Sequence, residues 1–167
     1  MTETLDLGLL VLRLLIALLL LGHAAQKLLG WFRGMGVAGT GALFETLGFR
    51  PGRPMVLMAG VSETVAATLL ALGLLTPLGG AVAIGTMIVA AAANFSKGLW
   101  AHLGGYEVAL VYACVAAVLV LTGPGDLSLD HALGWTYDRW VPWAAIAIGV
   151  LAAVPVLVRR SAGMRAG

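Results

Sequence analysis

The sequence has little charge. Charged residues make up 11% of its 167 residues, whereas hydrophobic residues make up 60%. Soluble domains carry about 25% charged and about 45–50% apolar residues, so a soluble fold of this length could not bury so much apolar surface. The composition therefore excludes a soluble globular domain and indicates an integral membrane protein in contact with the lipid bilayer. The formal net charge is only +2, without a cluster of Lys and Arg, so no nucleic-acid binding is predicted.

Cysteine is also scarce, since Cys114 is the only one. A single cysteine excludes an internal disulfide and a cysteine-based metal or redox pair, and no metal site is predicted. The sequence also lacks a nucleotide-binding fingerprint and has only three histidines, so it offers no motif for haem, flavin or an iron–sulfur cluster. The first residues, MTETLDLG, are acidic where a secretory signal begins with basic residues. We therefore expect the first apolar run to be retained as a span.

What the sequence does have is long apolar runs, and a helical span takes about 20 such residues. These runs predict an all-α membrane protein. Its first part, residues 1–131, is predicted to be a four-helix transmembrane bundle with spans at about 7–29, 54–76, 78–96 and 104–122. Its second part, residues 132–167, is predicted to add a fifth transmembrane helix at about 141–158 and a basic cytoplasmic tail. The Gly-rich segment 30–53 is too polar to cross, and predicts a short interfacial helix within 37–49 or a segment that folds back toward the bundle.

The distribution of basic residues predicts the orientation. Lys and Arg concentrate on the cytoplasmic side of membrane proteins. With the amino terminus outside and the carboxyl terminus inside, Arg139 is the only basic residue in an outer loop, and Arg13 lies within a span. The other basic residues then lie inside: Lys27, Arg33, Arg50, Arg53, Lys97, Arg159, Arg160 and Arg165. This distribution requires an odd number of spans and so favours the fifth.

Polar side chains interrupt the apolar spans, above all in the stretch LLLLGHAAQKLLGWF. An ionisable group in lipid costs about 2.5–3.5 kcal/mol, so each one suggests a function. His23, Gln26 and Lys27 follow at spacings of three and four, which places them on one side of the first helix. Glu63 lies in the second span, and Asn94 and Glu107 lie near the inner ends of the third and fourth. These positions predict a polar cluster inside the bundle, open toward the cytoplasmic side.

We predict specific roles for this cluster and its neighbours. His23, Glu63 and Glu107 are the predicted catalytic groups, because histidine and carboxyl side chains can exchange protons. Several alternatives remain open. Any one of these groups can serve only as a hydrogen bond between helices, and Lys27 and Arg13 can extend their charges to the membrane surface. The predicted substrate-binding residues are Gln26, Lys27, Trp31, Asn94 and Tyr106.

Several stretches together resemble the DoxX family of small bacterial membrane proteins. They are LRLLIALLLLGHAAQKLLGWF, GMGVAGTGALFETLGF, AGVSETVAATLLALGLLTPLGG, NFSKGLW and GGYEVALVYACVAAVLVLTGPGDLSLDH, which span about residues 7–131. In that family a histidine and a lysine close the first span before Gly-Trp-Phe, a glutamate lies in the second span, and Gly-Gly-x-Glu opens the last. The matching positions are His23, Lys27, Gly30, Trp31, Phe32, Glu63, Gly104, Gly105 and Glu107.

The resemblance implies a four-helix core in the bacterial plasma membrane and a link to redox metabolism. Distant relatives include subunits of a thiosulfate:quinone oxidoreductase, and mycobacterial members are associated with superoxide dismutase and a sulfurtransferase. We therefore expect a redox-linked membrane subunit of an oxidoreductase complex that binds a quinone or another small amphipathic molecule. One alternative is a non-catalytic scaffold that docks soluble oxidoreductase, sulfur-transfer or oxidative-stress enzymes through segment 30–53 and the tail. Another is a small carrier. With only about five short spans, a carrier is expected to need assembly into a homo-oligomer.

Overall fold

A computed structural model describes residues 2–165, and no β-strand occurs among them. The prediction of an all-α membrane protein is confirmed, because four of its helices are long and apolar enough to cross a membrane: Glu3–Leu28, Gly52–Leu72, Thr76–Lys97 and Val141–Arg165. The helices are α1 (Glu3–Leu28), α2 (Gly36–Thr46), α3 (Gly52–Leu72), α4 (Thr76–Asn94), α5 (Glu107–Thr122), α6 (Leu129–Ala132) and α7 (Val141–Arg165), with 3-10 turns at Phe95–Lys97 and Ala101–Leu103.

Each of the five long helices begins or ends a few residues away from its predicted span, and two of these differences concern the predicted tail after α7 and the start of α5. Helix α7 continues to Arg165, so residues 159–165 of the predicted basic tail form its last two turns, and residues 166–167 lie outside the described residues. Helix α5 begins at Glu107 rather than at residue 104 and has 16 residues, a length of about 24 Å. The preceding residues cannot join it because the backbone folds back on itself, with the Tyr106 and Glu107 amides donating to the carbonyls of Gly98 and Leu99. That α5 crosses the membrane stays a prediction.

The long helices run alternately up and down. Helix α1 packs on α3, α3 on α4, and α4 on α5, while α1 touches α5 only lightly. Helix α7 packs along α4. A Cβ atom on Gly149 would lie 2.6 Å from the Ala81 carbonyl oxygen, so glycine is what allows α4 and α7 to approach closely. We call the end at which α1 begins the N-terminal end of the bundle, and the opposite end, at which α7 ends, the C-terminal end.

A polar network closes the N-terminal end. Arg13 is 1% exposed, and its guanidinium donates to the carbonyl oxygens of Pro124 and Leu127, at 2.5 and 2.6 Å. Asp130, also 1% exposed, accepts from the backbone amides of Leu75 and Thr76 at 2.7 and 3.0 Å, where α4 begins. A carboxylate at a helix start satisfies amides that have no partner within the helix. Arg13 therefore does not extend to the membrane surface, and instead anchors the loop between α5 and α6.

Helix α2 packs against α3 and, less extensively, against α1. This packing matches the second of the two predicted arrangements, in which segment 30–53 folds back toward the bundle, and the interfacial position of the helix stays a prediction. The Glu45 carboxylate accepts from the Gly52 amide at 2.9 Å and so ties the end of α2 to the start of α3. A Cβ atom on Gly41 would lie 3.3 Å from the Arg53 nitrogen, which shows how closely the two helices approach. The segment thereby covers one side of the bundle near its C-terminal end.

Candidate functional site

A cavity of about 480 Å³ lies in the half of the bundle toward the C-terminal end. Residues from α1 through α5 and from α7 line it, and most of them are apolar, such as Met58, Ala90 and Val108. Sites for small molecules are typically mostly apolar cavities of about 300–1,000 Å³ with a few placed polar groups. The polar groups of this cavity are His23, Lys27, Ser62, Glu63, Thr86, Asn94 and Tyr112.

The strongest polar contact in the wall of the cavity is an ion pair between α1 and α3. The Lys27 Nζ atom lies 2.7 and 2.9 Å from the two carboxylate oxygens of Glu63. The Glu63 side chain is only 2% exposed, whereas that of Lys27 is 21% exposed. Because an unpaired charge at either position would be costly in lipid, each residue offsets the burial of the other. Lys27 therefore turns inward to Glu63 rather than only outward to the membrane surface.

Beside the ion pair, an imidazole ring meets a phenol ring. His23 lies one helical turn before Lys27 on α1, and its ring packs edge-on against Tyr112 of α5, with the centroids 5.7 Å apart. Tyr112 is 9% exposed and lines the cavity. The sequence reasoning did not single out Tyr112. The available signal was a hydroxyl-bearing residue inside the otherwise apolar run LVYACV.

Two of the predicted site residues near the ends of α4 and α5 have different surroundings. Asn94 lines the cavity, although its amide nitrogen donates to the Ala90 carbonyl at 3.3 Å. Glu107 does not line the cavity, because its carboxylate turns to the connection before α5 and accepts from the Ala101 amide at 2.8 Å. The predicted convergence on one pocket thus includes Asn94 and leaves out Glu107.

The remaining predicted residues also lie outside the cavity lining. The Gln26 side chain is directed to the segment after α1, where its amide nitrogen lies 3.5 Å from the Phe32 carbonyl oxygen. Trp31 is 61% exposed. Tyr106 stacks on Phe95, with ring centroids 5.3 Å apart. Of the eight predicted site residues, the structure therefore brings His23, Lys27, Glu63 and Asn94 together at the cavity.

Two further walls of the cavity come from parts of the chain that the predicted site did not include. Helix α7 contributes Ala152, Ala153 and Val156. Residues 43–49, at the end of α2 and in the turn after it, contribute Leu43, Phe44, Leu47 and Phe49. We call residues 43–49 the strap. The apolar walls and the neutral ion pair together suit a molecule with an apolar body and a small polar group.

The cavity lacks the arrangement typical of a metal centre. Among the residues that the structure describes, no group of three or more His, Cys, Asp or Glu side chains could hold a metal ion. The groups available for chemistry are an imidazole, a phenol, an amide, the hydroxyl groups of Ser62 and Thr86, and the ion pair. Of these, imidazole and carboxyl groups can exchange protons with a bound molecule.

Comparison with known proteins identifies one family. The family model DoxX matches residues 8–103, which is more than half of the chain. No curated protein and no solved structure matches the chain. The matched range contains His23, Lys27, Glu63 and Asn94, whereas α5 and α7 lie beyond it. The chain belongs to the DoxX family of membrane proteins.

Proposed function

We propose that the cavity binds a small amphipathic molecule, such as a quinone, and that the protein is a redox-linked membrane subunit. The observation that carries this proposal is the buried Lys27–Glu63 ion pair in the wall of an apolar cavity of about 480 Å³. An ion pair is not needed to stabilise the packing of the helices, because replacing a buried ion pair with apolar side chains is often neutral or stabilising. A charged pair beside an open cavity has a reason to persist if a bound molecule uses it.

The charges around the cavity favour an uncharged polar group on the bound molecule. Lys27 and Glu63 neutralise one another, so neither charge is left to attract a counter-ion. A carbonyl oxygen, which only accepts hydrogen bonds, fits beside His23 and the remaining donor capacity of Lys27. The methyl and thioether groups that line the rest of the cavity suit the apolar body of the molecule.

The chemistry of a quinone sets what this chain would have to supply. Reduction of a quinone to a quinol takes up two electrons and two protons. His23 is suited to proton exchange near neutral pH, and Glu63 is the second candidate. The sequence has a single cysteine and no nucleotide-binding fingerprint, so the electrons would come from a partner protein. A soluble redox enzyme that docks at the membrane is the partner expected under this proposal.

Binding of decylubiquinone by the detergent-purified protein tests the proposal, with isothermal titration calorimetry as the measurement. We expect His23→Ala and Glu63→Gln each to weaken binding about tenfold, because each removes a polar contact in the cavity. Glu107→Gln is the matched control, since Glu107 carries the same side chain but lies outside the lining. Its affinity should stay within about twofold of that of the unchanged protein. Equal affinity in all four proteins, or no binding in any, would contradict the quinone proposal.

We propose that the protein lies in the bacterial plasma membrane with its amino terminus outside. Two observations support this placement. The connections and helix ends at the C-terminal end carry most of the basic residues, and exposed tryptophans occur at both ends of the bundle, as membrane interfaces favour. They are Trp135, Trp140 and Trp143 at one end, and Trp31 and Trp100 at the other.

The orientation is tested by labelling single cysteines in intact cells. In a Cys114→Ala background, a cysteine placed at Gly134 should react with a membrane-impermeant maleimide, whereas one placed at Arg159 should react only after the cells are opened. The opposite pattern would contradict the proposed orientation.

A scaffold function is the second candidate, favoured by the exposed C-terminal end. Trp31, Phe32 and Met35 there are each more than half exposed, and the neighbouring Arg33 and Arg50 add positive charge. Under this alternative, Glu63→Gln should leave partner proteins attached, and Arg33→Glu with Arg50→Glu should release them. Mild-detergent purification followed by mass spectrometry of lipids and proteins separates the two candidates, and also detects a second copy of the chain. A carrier would instead move a substrate in liposomes without a partner.

A further inference from the structure

Helix α7 lies outside the part of the chain that matches the family, yet it helps to build the cavity. Ala153 is buried against the bundle, and Ala152 and Val156 complete the wall that α7 provides. Two turns toward the C-terminal end, Arg160 leaves α7 and reaches two other elements. Its Nε atom donates to the Leu47 carbonyl at 2.9 Å, and its Nη1 atom donates to the Ala92 carbonyl at 2.8 Å.

These two hydrogen bonds join the strap to α4 through α7. Leu47 belongs to the strap, and Ala92 lies in the last turn of α4. The Arg160 guanidinium also lies over the ring of Phe49, 5.3 Å from its centroid, which adds a cation–π contact to the strap. Both Leu47 and Phe49 line the cavity. Arg160 therefore holds in place two of the residues that line the cavity.

The backbone of the strap is fitted to α7 at one glycine. Gly48 is buried, with a φ of +87°, a conformation that side-chain-bearing residues rarely adopt. A Cβ atom at this position would lie 2.5 Å from the Met164 Cγ atom and 2.9 Å from the Arg160 carbonyl oxygen. The strap thus rests directly on the last two turns of α7. On its other side, the strap is joined to α3 by the hydrogen bond between the Glu45 carboxylate and the Gly52 amide.

We infer that Arg160 controls access to the cavity: it latches the strap, which forms one side of the cavity, and release of the strap from α7 widens the entrance for an amphipathic molecule. The inference rests on the proposed function in that it takes the cavity as a binding site. Side-chain hydrogen bonds to carbonyl oxygens can be exchanged for water, so a latch of this kind can open without unfolding the bundle. The apolar side chains of the strap then move aside together, because they belong to one short segment tied at both ends.

Cysteine reactivity measures this opening without any ligand. Ser62 lines the cavity and is partly buried, so Ser62→Cys in a Cys114→Ala background reports how freely N-ethylmaleimide enters the cavity. We expect Arg160→Gln to raise the rate of modification of this cysteine about tenfold, because the loss of a charged hydrogen bond shifts a local equilibrium by at least that factor. Arg159→Gln is the matched control, since Arg159 is the exposed neighbour of Arg160, and it should leave the rate unchanged.

Two further variants keep the inference testable if Arg160→Gln folds poorly. Arg160→Lys keeps the positive charge but loses the planar fork, and should raise the rate less than Arg160→Gln does. Gly48→Ala displaces the strap from α7 while leaving the Arg160 side chain intact, and should raise the rate as well. The natural Cys114 provides a control, because it is exposed on α5. In variants that keep Ser62, its rate of modification reports any general loosening of the helix bundle.

The outcomes separate clearly. Faster modification of the cysteine that Ser62→Cys introduces, with an unchanged rate at Cys114, supports the latch. The latch is overturned if the cysteine at position 62 is modified no faster in Arg160→Gln and Gly48→Ala than in Arg159→Gln. It is also overturned if the modification rates at positions 62 and 114 rise together. Because the measurement needs no quinone, a failure of decylubiquinone to bind would remove the proposed function and leave the latch standing.

Discussion

The Lys27–Glu63 pair makes an asymmetric prediction: loss of the lysine should destabilise the protein more than loss of the glutamate. Glu63 is 2% exposed and has Lys27 as its ionic partner, whereas Lys27 is 21% exposed and lies one residue before the end of α1. In Lys27→Met, the carboxylate stays buried without its partner. In Glu63→Gln, the lysine can turn its long side chain toward the C-terminal end of the bundle.

The magnitudes follow from the cost of a buried charge. Removal of one partner from a buried pair typically costs about 3–5 kcal/mol of the free energy of unfolding. We therefore expect Lys27→Met to cost roughly 3–4 kcal/mol, and Glu63→Gln about 1 kcal/mol. The double variant leaves no charge, so it should be more stable than Lys27→Met alone.

Unfolding by SDS in mixed micelles measures the four proteins as a double-mutant cycle. The coupling energy between the two positions should be about 2 kcal/mol or more. The reasoning is refuted if Glu63→Gln is the less stable single variant, or if the two effects simply add.

Three other predictions concern the N-terminal end and the loop before α7. Arg13→Met should lower the free energy of unfolding by about 3 kcal/mol or more, because it removes two charged hydrogen bonds from a buried site, and limited proteolysis should then cut the loop between α5 and α6. Gly73→Ala should cost about 3 kcal/mol and Gly134→Ala about 1 kcal/mol in the same SDS unfolding assay. Both glycines have positive φ, but a Cβ atom would meet the Arg13 guanidinium only at Gly73, whereas it has open space at Gly134. Equal costs of the two substitutions would therefore contradict the predicted clash with Arg13. Burial, and then the nearby Asp130 carboxylate, raise the pKa of Tyr137 to about 12. The folded state thus favours the neutral phenol, and the stability that this provides is present below about pH 10 and is lost as the pH rises toward 12. Tyr137→Phe should weaken the fall in Tm above pH 10, and should remove from the absorbance titration at 295 nm the phenol that ionises near pH 12.

The fold was largely predictable because the bilayer restricts what the chain can do. A span needs about 20 apolar residues in a helix, so the apolar runs located α1, α3, α4 and α7 directly. The ends of the helices were less predictable, because a helix can continue past the hydrocarbon wherever its polar groups find partners. Helix α7 extends to Arg165 in this way. Helix α5 starts late because the Gly-rich residues before it form turns with their own backbone hydrogen bonds.

The site was predictable only in part, because helical spacing gives the face of a residue but not what lies opposite. His23 and Lys27, four residues apart, face the same neighbours, whereas Gln26 is rotated by about 100° from Lys27 and points to the following segment. Adjacent Arg159 and Arg160 differ in the same way, and no sequence pattern distinguishes the exposed arginine from the one that binds the strap. Contacts such as Arg13 with Pro124, 111 residues apart, depend on where the loops fold.

The short length of α5 has a consequence for the surrounding lipid. At about 24 Å, this helix is about 6 Å shorter than a typical hydrocarbon core of about 30 Å. If α5 crosses the membrane as predicted, acyl chains that lie along it meet polar connections before they reach their full extent, and the bilayer must become thinner on that flank. Phospholipids with shorter chains would fit there with less distortion, so chain length in reconstituted vesicles should influence how well the bundle holds together.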